Sequence, residues 1–232
     1  MTNHKVIAVT PFYGRPEVSR IFCEQLKEIG IPLIAVTHYG DSNIKLLKEY
    51  AQELILTHHN ITGKKWNEGL KALKHLDFDY VIILGSDDLI SERYFTDFAN
   101  AQMDKGKRYI GLLDAVALDL RVKRFRYWGG YRNQRRGESL GCGRLIHKSV
   151  LQVFNYQIFP EVQGGSIDYH SNMNIQSVTG YGSFIYSLKK PYRLGLKSGH
   201  ELTYKNSRDF RLNLSLEGFY SDRIIQMIRS YK

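Results

Sequence analysis

Residues 5–10, KVIAVT, form an unbroken apolar, β-branched run, and the stretch beyond it changes period. In PEVSRIFCEQLKEIG, residues 16–30, apolar side chains recur at Val18, Ile21, Phe22, Leu26 and Ile29, with Pro16 suited to a first helical turn and Gly30 to a stop. A short continuous run predicts a strand buried on both faces; the second spacing predicts a helix with one buried stripe. The alternation then repeats. IPLIAVT (31–37), ELILT (53–57) and DYVIILG (79–85) read as strands, DSNIKLLKEYAQ, GKKWNEGLKALKHL and ERYFTDFANAQMDKG as helices, and RYIGLLDAVAL as a further strand. Strands joined by helices of this length predict an α/β fold, a mostly parallel, Rossmann-like sheet with helices on both faces. Ligands of such sheets bind beyond the carboxyl ends of the strands, where the strand order reverses. Thr10 to Arg15, Thr37 to Asp41 and the pair Asp87–Asp88 all follow strands directly, so three loops are expected to meet at one edge.

Past residue 115 the pattern loosens. LDLRVKRFRYWGGYRNQRRGES is β-like, basic and aromatic, and GRLIHKSVLQVF reads as a strand running into a helix. SIDYHSNMNIQSV reads as a polar-faced helix with Ser166 at its N-cap, SFIYSL and YRLGLKS as short strands, and the last residues as an amphipathic helix. With no repeat, low-complexity tract or linker between them, residues 1–115 and 116–232 are expected to form one domain, the second half a smaller β/α part packed beside the first.

Composition narrows the setting. The 232 residues carry 33 Lys or Arg against 23 Asp or Glu, a formal charge of +10, which fits either a solvated basic surface or a polyanionic partner. No stretch approaches the length of a membrane span, so no transmembrane segment is expected, and the N-terminus enters a strand without the apolar core of a signal peptide. Cys23 and Cys142 lack metal-ligand spacing and point to a reducing compartment. The expected location is the cytoplasm, or the host cytoplasm for a viral protein.

The sharpest local feature is VIILGSDDLI, residues 81–90, an apolar run that ends on two adjacent carboxylates. Like charges at one point need water, a cation or a basic partner. A hard divalent ion, Mg²⁺ or Mn²⁺, suits such a cluster; a Ser-Asp-Asp run is also a common start for a following segment. Other templates fail: there is no phosphate-loop motif and no serine-hydrolase elbow, GCGRLI lacks a third glycine, and two cysteines cannot make a zinc ribbon.

VIAVTPFYGRP, KKWNEGLKAL, VIILGSDDLIS and SLGCGRLIHKSVL, in that order, resemble the GT-A glycosyltransferases of the family 2 type, and LGCGRLIHKSVL resembles their small phage and bacterial members. The resemblance implies a nucleotide-sugar donor, such as a UDP-sugar or another nucleoside diphosphate sugar, bound by residues 1–115. It also implies Mn²⁺ or Mg²⁺ on the diphosphate, and an acceptor-binding half over 116–232. By the same resemblance, Thr10, Pro11, Phe12, Tyr13 and Arg15 form the nucleotide cradle with Thr37, Lys65, Asn67, Ser86 and Asp87, and Asp114 contacts a sugar. Asp87, Asp88 and His200 stand where metal ligands are expected. Gly85 and Ser86 replace the first positions of the family's Asp-x-Asp motif, a departure that bears on metal affinity and donor choice. Transfer with inversion needs a base for the acceptor hydroxyl. Asp168 stands in the expected place, with Glu138 and Asp114 as runners-up; an Asp in a first helical turn also simply suits the helix dipole.

Residues 121–136, RVKRFRYWGGYRNQRR, hold 7 Lys or Arg and no acid. Such interleaving of basic and aromatic residues suits a strand pair turning at Gly129–Gly130 that grips phosphates and stacks on rings, through Arg124, Arg126, Tyr127, Trp128, Tyr131, Arg135 and Arg136. A solvated hairpin with one core-facing edge accounts for the same residues. The expected acceptor is anionic: DNA carrying a hydroxylated base, or a lipid-linked or surface glycan met by peripheral membrane contact. Two further readings stay open, an inactive GT-A protein that binds nucleic acid and a nucleotidyltransferase.

Overall fold

The computed structural model describes residues 4–163, 166–198 and 214–231. Ten of its regular elements lie within residues 4–104. They are β1 (Val6–Pro11), α1 (Pro16–Glu28), β2 (Leu33–His38), α2 (Ile44–Tyr50), β3 (Glu53–Thr57), α3 (Thr62–Ala72), β4 (Tyr80–Ile83), β5 (Asp88–Ile90), α4 (Glu92–Tyr94) and, after a wide π-helical stretch Phe95–Ala99, α5 (Asn100–Asp104). The rest is β6 (Tyr109–Leu112), β7 (Ala115–Asp119), β8 (Arg124–Trp128), β9 (Arg144–His147), α6 (Lys148–Val153), α7 (Ile167–Thr179), β10 (Ser183–Ile185), β11 (Arg193–Lys197) and α8 (Asp222–Ser230).

Seven strands make the main sheet in the order β10-β6-β9-β4-β1-β2-β3, parallel except for β9, which runs antiparallel between β4 and β6. Because successive side chains of a strand face opposite ways, β1 serves two cores. Val6 and Ala8 join Val18, Phe22 and Leu26 of α1, and Ile7 and Val9 join Trp66 and Leu70 of α3. That double burial is why these strands read as continuous apolar runs. Helix α3 lies close to the sheet at Gly69, where a Cβ would stand 2.6 Å from Val9 and 2.9 Å from Val36.

A second sheet, β5-β11-β7-β8, packs on the α1 side. It corrects two expectations. The strand foreseen over 108–118 is two strands in different sheets, broken at Leu113–Asp114, where the buried Asp114 carboxylate accepts the backbone N–H of Ser187 at 2.6 Å and Leu188 at 3.2 Å. The basic hairpin does not turn at Gly129–Gly130. β8 instead pairs with β7, from Asp119↔Arg124 to Ala115↔Trp128, so the chain reverses over residues 120–123, with Lys123 left-handed at φ 51°. Gly130, at φ 94°, is where the chain leaves the sheet, and a Cβ there would meet the Leu113 carbonyl at 2.4 Å. Ser166 occupies the N-cap position of α7, but its side chain makes no capping hydrogen bond. No helix of the described residues is long and apolar enough to cross a membrane.

Candidate active site

From β1 the chain steps to β2 and β3 on one side and then crosses to β4 on the other. The order therefore reverses between β1 and β4, where the loops at their carboxyl ends diverge and leave a crevice. A cavity of about 520 Å³ opens there, lined by Pro11, Phe12, Tyr13 and Arg15 after β1, by Asn60, Thr62, Lys65 and Trp66 from the start of α3, and by Gly85 to Asp88, Cys142 and Gln163.

The β1 loop is held by groups the sequence did not single out. Gly14 donates its N–H to Asp41 Oδ2 at 3.0 Å, and Asn43, itself fixed to Asp41 Oδ1 at 2.8 Å, donates to the Gly14 carbonyl. Burial pushes the Asp41 carboxyl up, but the hydrogen bonds from Asn43 and Gly14 outweigh it and hold it below the usual range. Gly14 and Arg15 are both left-handed, φ 56° and 54°. The turn separates two neighbouring rings: Phe12 is fully buried against Phe22, whereas Tyr13 is 63% exposed. Of the two rings in the expected nucleotide cradle, only Tyr13 is open to solvent. Lys65 Nζ lies 5.8 Å from the Tyr13 ring centre and donates to the Phe12 carbonyl at 3.2 Å and to Asn60 Oδ1 at 2.7 Å. Burial lowers the Lys65 ammonium's pKa.

Several expected donor contacts are occupied elsewhere. Thr10 and Thr37 are fully buried in the strands, and Thr37 Oγ1 donates to the Phe12 carbonyl at 3.2 Å. Asn67 clamps α3 to the segment before α7, donating to the Phe159 carbonyl at 2.9 Å and accepting its N–H at 3.1 Å. Asp114, whose carboxylate also accepts the Tyr127 hydroxyl at 2.7 Å, is fully buried at the strand break and does not line the cavity.

The acid pair sits where the two sheets meet. Asp88 opens β5 and pairs with Arg193 of β11. Asp87 Oδ2 takes Lys197 Nζ at 2.7 Å and Arg15 at 3.2 Å. Burial raises the Asp87 carboxyl, but Lys197 and then Arg15 outweigh it, so it lies below its ordinary value. The other oxygens converge: Asp87 Oδ1 and Asp88 Oδ2 lie 3.2 and 2.7 Å from where a Cβ of Gly85 would stand. A side chain at 85 would fill that space. Two carboxylate oxygens of adjacent residues facing one point on the cavity wall fit a hard cation that takes its remaining oxygens from phosphate and water. Among the described residues no group of three or more His, Cys, Asp or Glu gathers for a metal, and His200 lies outside the described residues.

Asp168, in the first turn of α7, is half-buried with its carboxylate directly over Gly141, next to the cavity-lining Cys142; a Cβ on Gly141 would stand 2.1 to 2.4 Å from it. Arg144 fixes this corner. Fully buried, it donates to the Leu140 carbonyl at 2.7 Å, Ser171 Oγ at 2.7 Å and the Asp168 carbonyl at 3.1 Å. An arginine opening an otherwise apolar strand, GRLIH, was the available signal for it. Tyr131 donates its hydroxyl to Asp168 Oδ2 at 3.4 Å, and burial, then the Asp168 charge, push its phenol up to about 12. Glu138 is taken up by Arg135 at 2.9 Å. The Arg135 guanidinium lies 3.6 Å over the Tyr131 ring, and Trp128 meets the same ring edge-on at 4.8 Å. Trp128, Tyr131 and Arg135 are thus assembled beside Asp168. Tyr127 is spent on Asp114, Arg136 is exposed, and Arg124 sits at the far end of β8, about 13 Å from Trp128 at ~3.3 Å per residue.

No family model matches the sequence, and no curated protein matches it. Solved structures do match in fold. Staphylococcus aureus TarS aligns over 83% of this chain and 36% of its own, at TM-score 0.62 and 14% identity. A TarS 1–349 structure in complex with UDP-GlcNAc aligns over 97% of this chain and 65% of that one, at TM-score 0.60 and 16% identity. A complex of the same fragment with UDP gives TM-score 0.56 at 13% identity, over 83% and 60%. The chain has the GT-A glycosyltransferase fold. It spans about a third to two thirds of the length of these structures.

Proposed function

We propose that this protein is a metal-dependent, inverting glycosyltransferase that moves a sugar from a UDP-type nucleotide sugar to a hydroxyl of an anionic acceptor. The observation that carries it is the crevice between β1 and β4, where an exposed ring, two cations, Arg15 and Lys65, and an acid pair line one cavity, with Lys197 buried against Asp87 behind it. About 520 Å³ lies within the range of small-molecule pockets. The structural neighbour bound to UDP-GlcNAc supports a uridine donor.

In this reading Tyr13 stacks on the base, while Lys65, Arg15 and Lys197 face the diphosphate. Asp87 and Asp88 would hold Mn²⁺ or Mg²⁺, which when bound would supply positive charge against the departing diphosphate. Asp168 takes the proton of the acceptor hydroxyl as it attacks the anomeric carbon from the face opposite the leaving group. Arg144 and Gly141 set where that carboxylate stands, and the Trp128–Tyr131–Arg135 layer supports a ring of the acceptor beside it. For the acceptor we favour DNA bearing a hydroxylated base, as in phage-type modification, because the exposed Arg124 and Arg136 and the charge of +10 suit a phosphate backbone.

Incubation with a panel of UDP-sugars and Mn²⁺ tests the reading. One donor should be slowly hydrolysed to UDP without pyrophosphate, and Asp168→Asn should bind that donor as tightly as wild type yet fail to transfer. Pyrophosphate release would make the protein a nucleotidyltransferase, and full transfer by Asp168→Asn would remove the base assignment.

A further inference from the structure

Basic side chains of this chain already pair with the acid pair. Among the described residues, two carboxylates, Asp87 and Asp88, pair with three basic side chains, Arg15, Arg193 and Lys197. The three are not equivalent. Arg193 and Asp88 pair on adjacent strands β11 and β5, both almost fully buried, and this contact fastens the second sheet. Lys197, also of β11 and nearly as buried, and Arg15 instead share one oxygen, Asp87 Oδ2; of the two, Arg15 lines the cavity, on a left-handed loop residue with a quarter of its side chain exposed. A divalent ion drawn to Asp87 meets these two charges at close range, and like charges a few ångströms apart in a partly buried site repel strongly.

We infer that Lys197 and Arg15 are exchangeable counter-ions: they pair with Asp87 and pass to the donor's diphosphate when a metal–nucleotide complex takes their place. The inference rests on the reading of the cleft as a nucleotide diphosphate site and assigns that site a binding order. Ion and diphosphate each remove what opposes the other. Nucleotide draws the two cations off Asp87 and frees it for the ion; the ion holds Asp87 and releases the cations to the phosphates. Mn²⁺ alone therefore binds poorly, UDP alone binds moderately, and the two together bind cooperatively, each raising the other's affinity by the same factor.

The test measures binding, not turnover. Mn²⁺ is titrated by electron paramagnetic resonance without nucleotide, and UDP by calorimetry with EDTA and with Mn²⁺. In Lys197→Met, Mn²⁺ alone should bind about tenfold tighter and UDP in EDTA about tenfold weaker, the size of one charge-assisted contact. Arg15→Gln, on a loop rather than in a sheet, should move both in the same directions, which keeps the test independent of any loss of fold at Lys197. Asp87→Asn should lose Mn²⁺ and keep or gain UDP affinity in EDTA. Weakening of Mn²⁺ binding in both Lys197→Met and Arg15→Gln, or non-cooperative binding of Mn²⁺ and UDP to wild type, would overturn the exchange while leaving the donor site in place. A wild-type protein that binds no UDP with or without Mn²⁺ would overturn the donor site and the exchange together.

Discussion

Asp87 shows how a nearly buried carboxylate stays charged. Burial alone would raise its pKa, but Lys197 at 2.7 Å and Arg15 at 3.2 Å reverse the shift. A group whose folded pKa is depressed contributes stability above its unfolded value, about 3.9 for Asp, and loses it as pH falls through the folded value. Urea midpoints should therefore hold steady from pH 7 to about 5 and fall below about 4, with a smaller acid-side loss in Asp87→Asn; an equal loss in both proteins would place the sensitivity elsewhere. Gly141 makes a second prediction. Its backbone is not left-handed, so Gly141→Ala meets one obstacle, the Asp168 carboxylate at 2.1 to 2.4 Å. The variant should fold and bind UDP as wild type does but lose about tenfold to a hundredfold in kcat, since misplacement of a reacting group by about 1 Å costs on that order. Unchanged kcat would detach Asp168 from the chemistry. The residues legible in the sequence, Tyr13, Arg15, Lys65 and Asp87, stand directly after strands or at a helix start, where the fold fixes their place. Asn67 matched a motif and Thr37 and Asp114 follow strands as well, yet their side chains are spent on partners a single sequence does not reveal, such as Phe159, 92 residues from Asn67.

At the scale of elements, β1, β2 and β4 were readable because they are buried on both faces, α1 and α3 because they are amphipathic on one, and β3 as a short apolar run at the sheet's edge. The split of 108–118 into β6 and β7 was not, because both pieces are apolar and only the tertiary capture of Asp114 by residues 187–188 separates them. The hairpin at Gly129–Gly130 was misplaced for a related reason: a Gly pair marks a turn, but here Gly130 serves close approach to Leu113. β8 is an edge strand, and its Arg124 and Arg126 also suit the charged edges that discourage strand-to-strand association. Close packing at the start of α3 is testable. A Cβ on Gly63 would stand 1.8 Å from the Pro160 carbonyl oxygen. Gly63→Ala should cost about 1–3 kcal/mol by urea denaturation, the range of overpacking, and neutrality would mean that the 160 loop moves freely against the helix.

The whole molecule joins a GT-A sheet to a small basic sheet, and the cleft lies where they meet. Its net charge of +10 bears on the acceptor, not on the fold. If duplex DNA is gripped, log affinity should fall with log salt, and Arg124→Gln with Arg136→Gln should flatten the slope by about 1.8, or 0.9 per phosphate contact. No binding at low salt would exclude DNA as acceptor. The proposed donor site is more central, and a thermal-shift titration of UDP-sugars with and without Mn²⁺ reaches it most directly. Ligand at a hundred times Kd adds about 2.7 kcal/mol, or roughly 5–10 °C in Tm for a chain of this size. One UDP-sugar with Mn²⁺ should raise the wild-type Tm by that amount, and Asp87→Asn should lose the Mn²⁺-dependent part. No shift with any UDP-sugar at millimolar concentration, or an undiminished Mn²⁺-dependent shift in Asp87→Asn, would contradict the account.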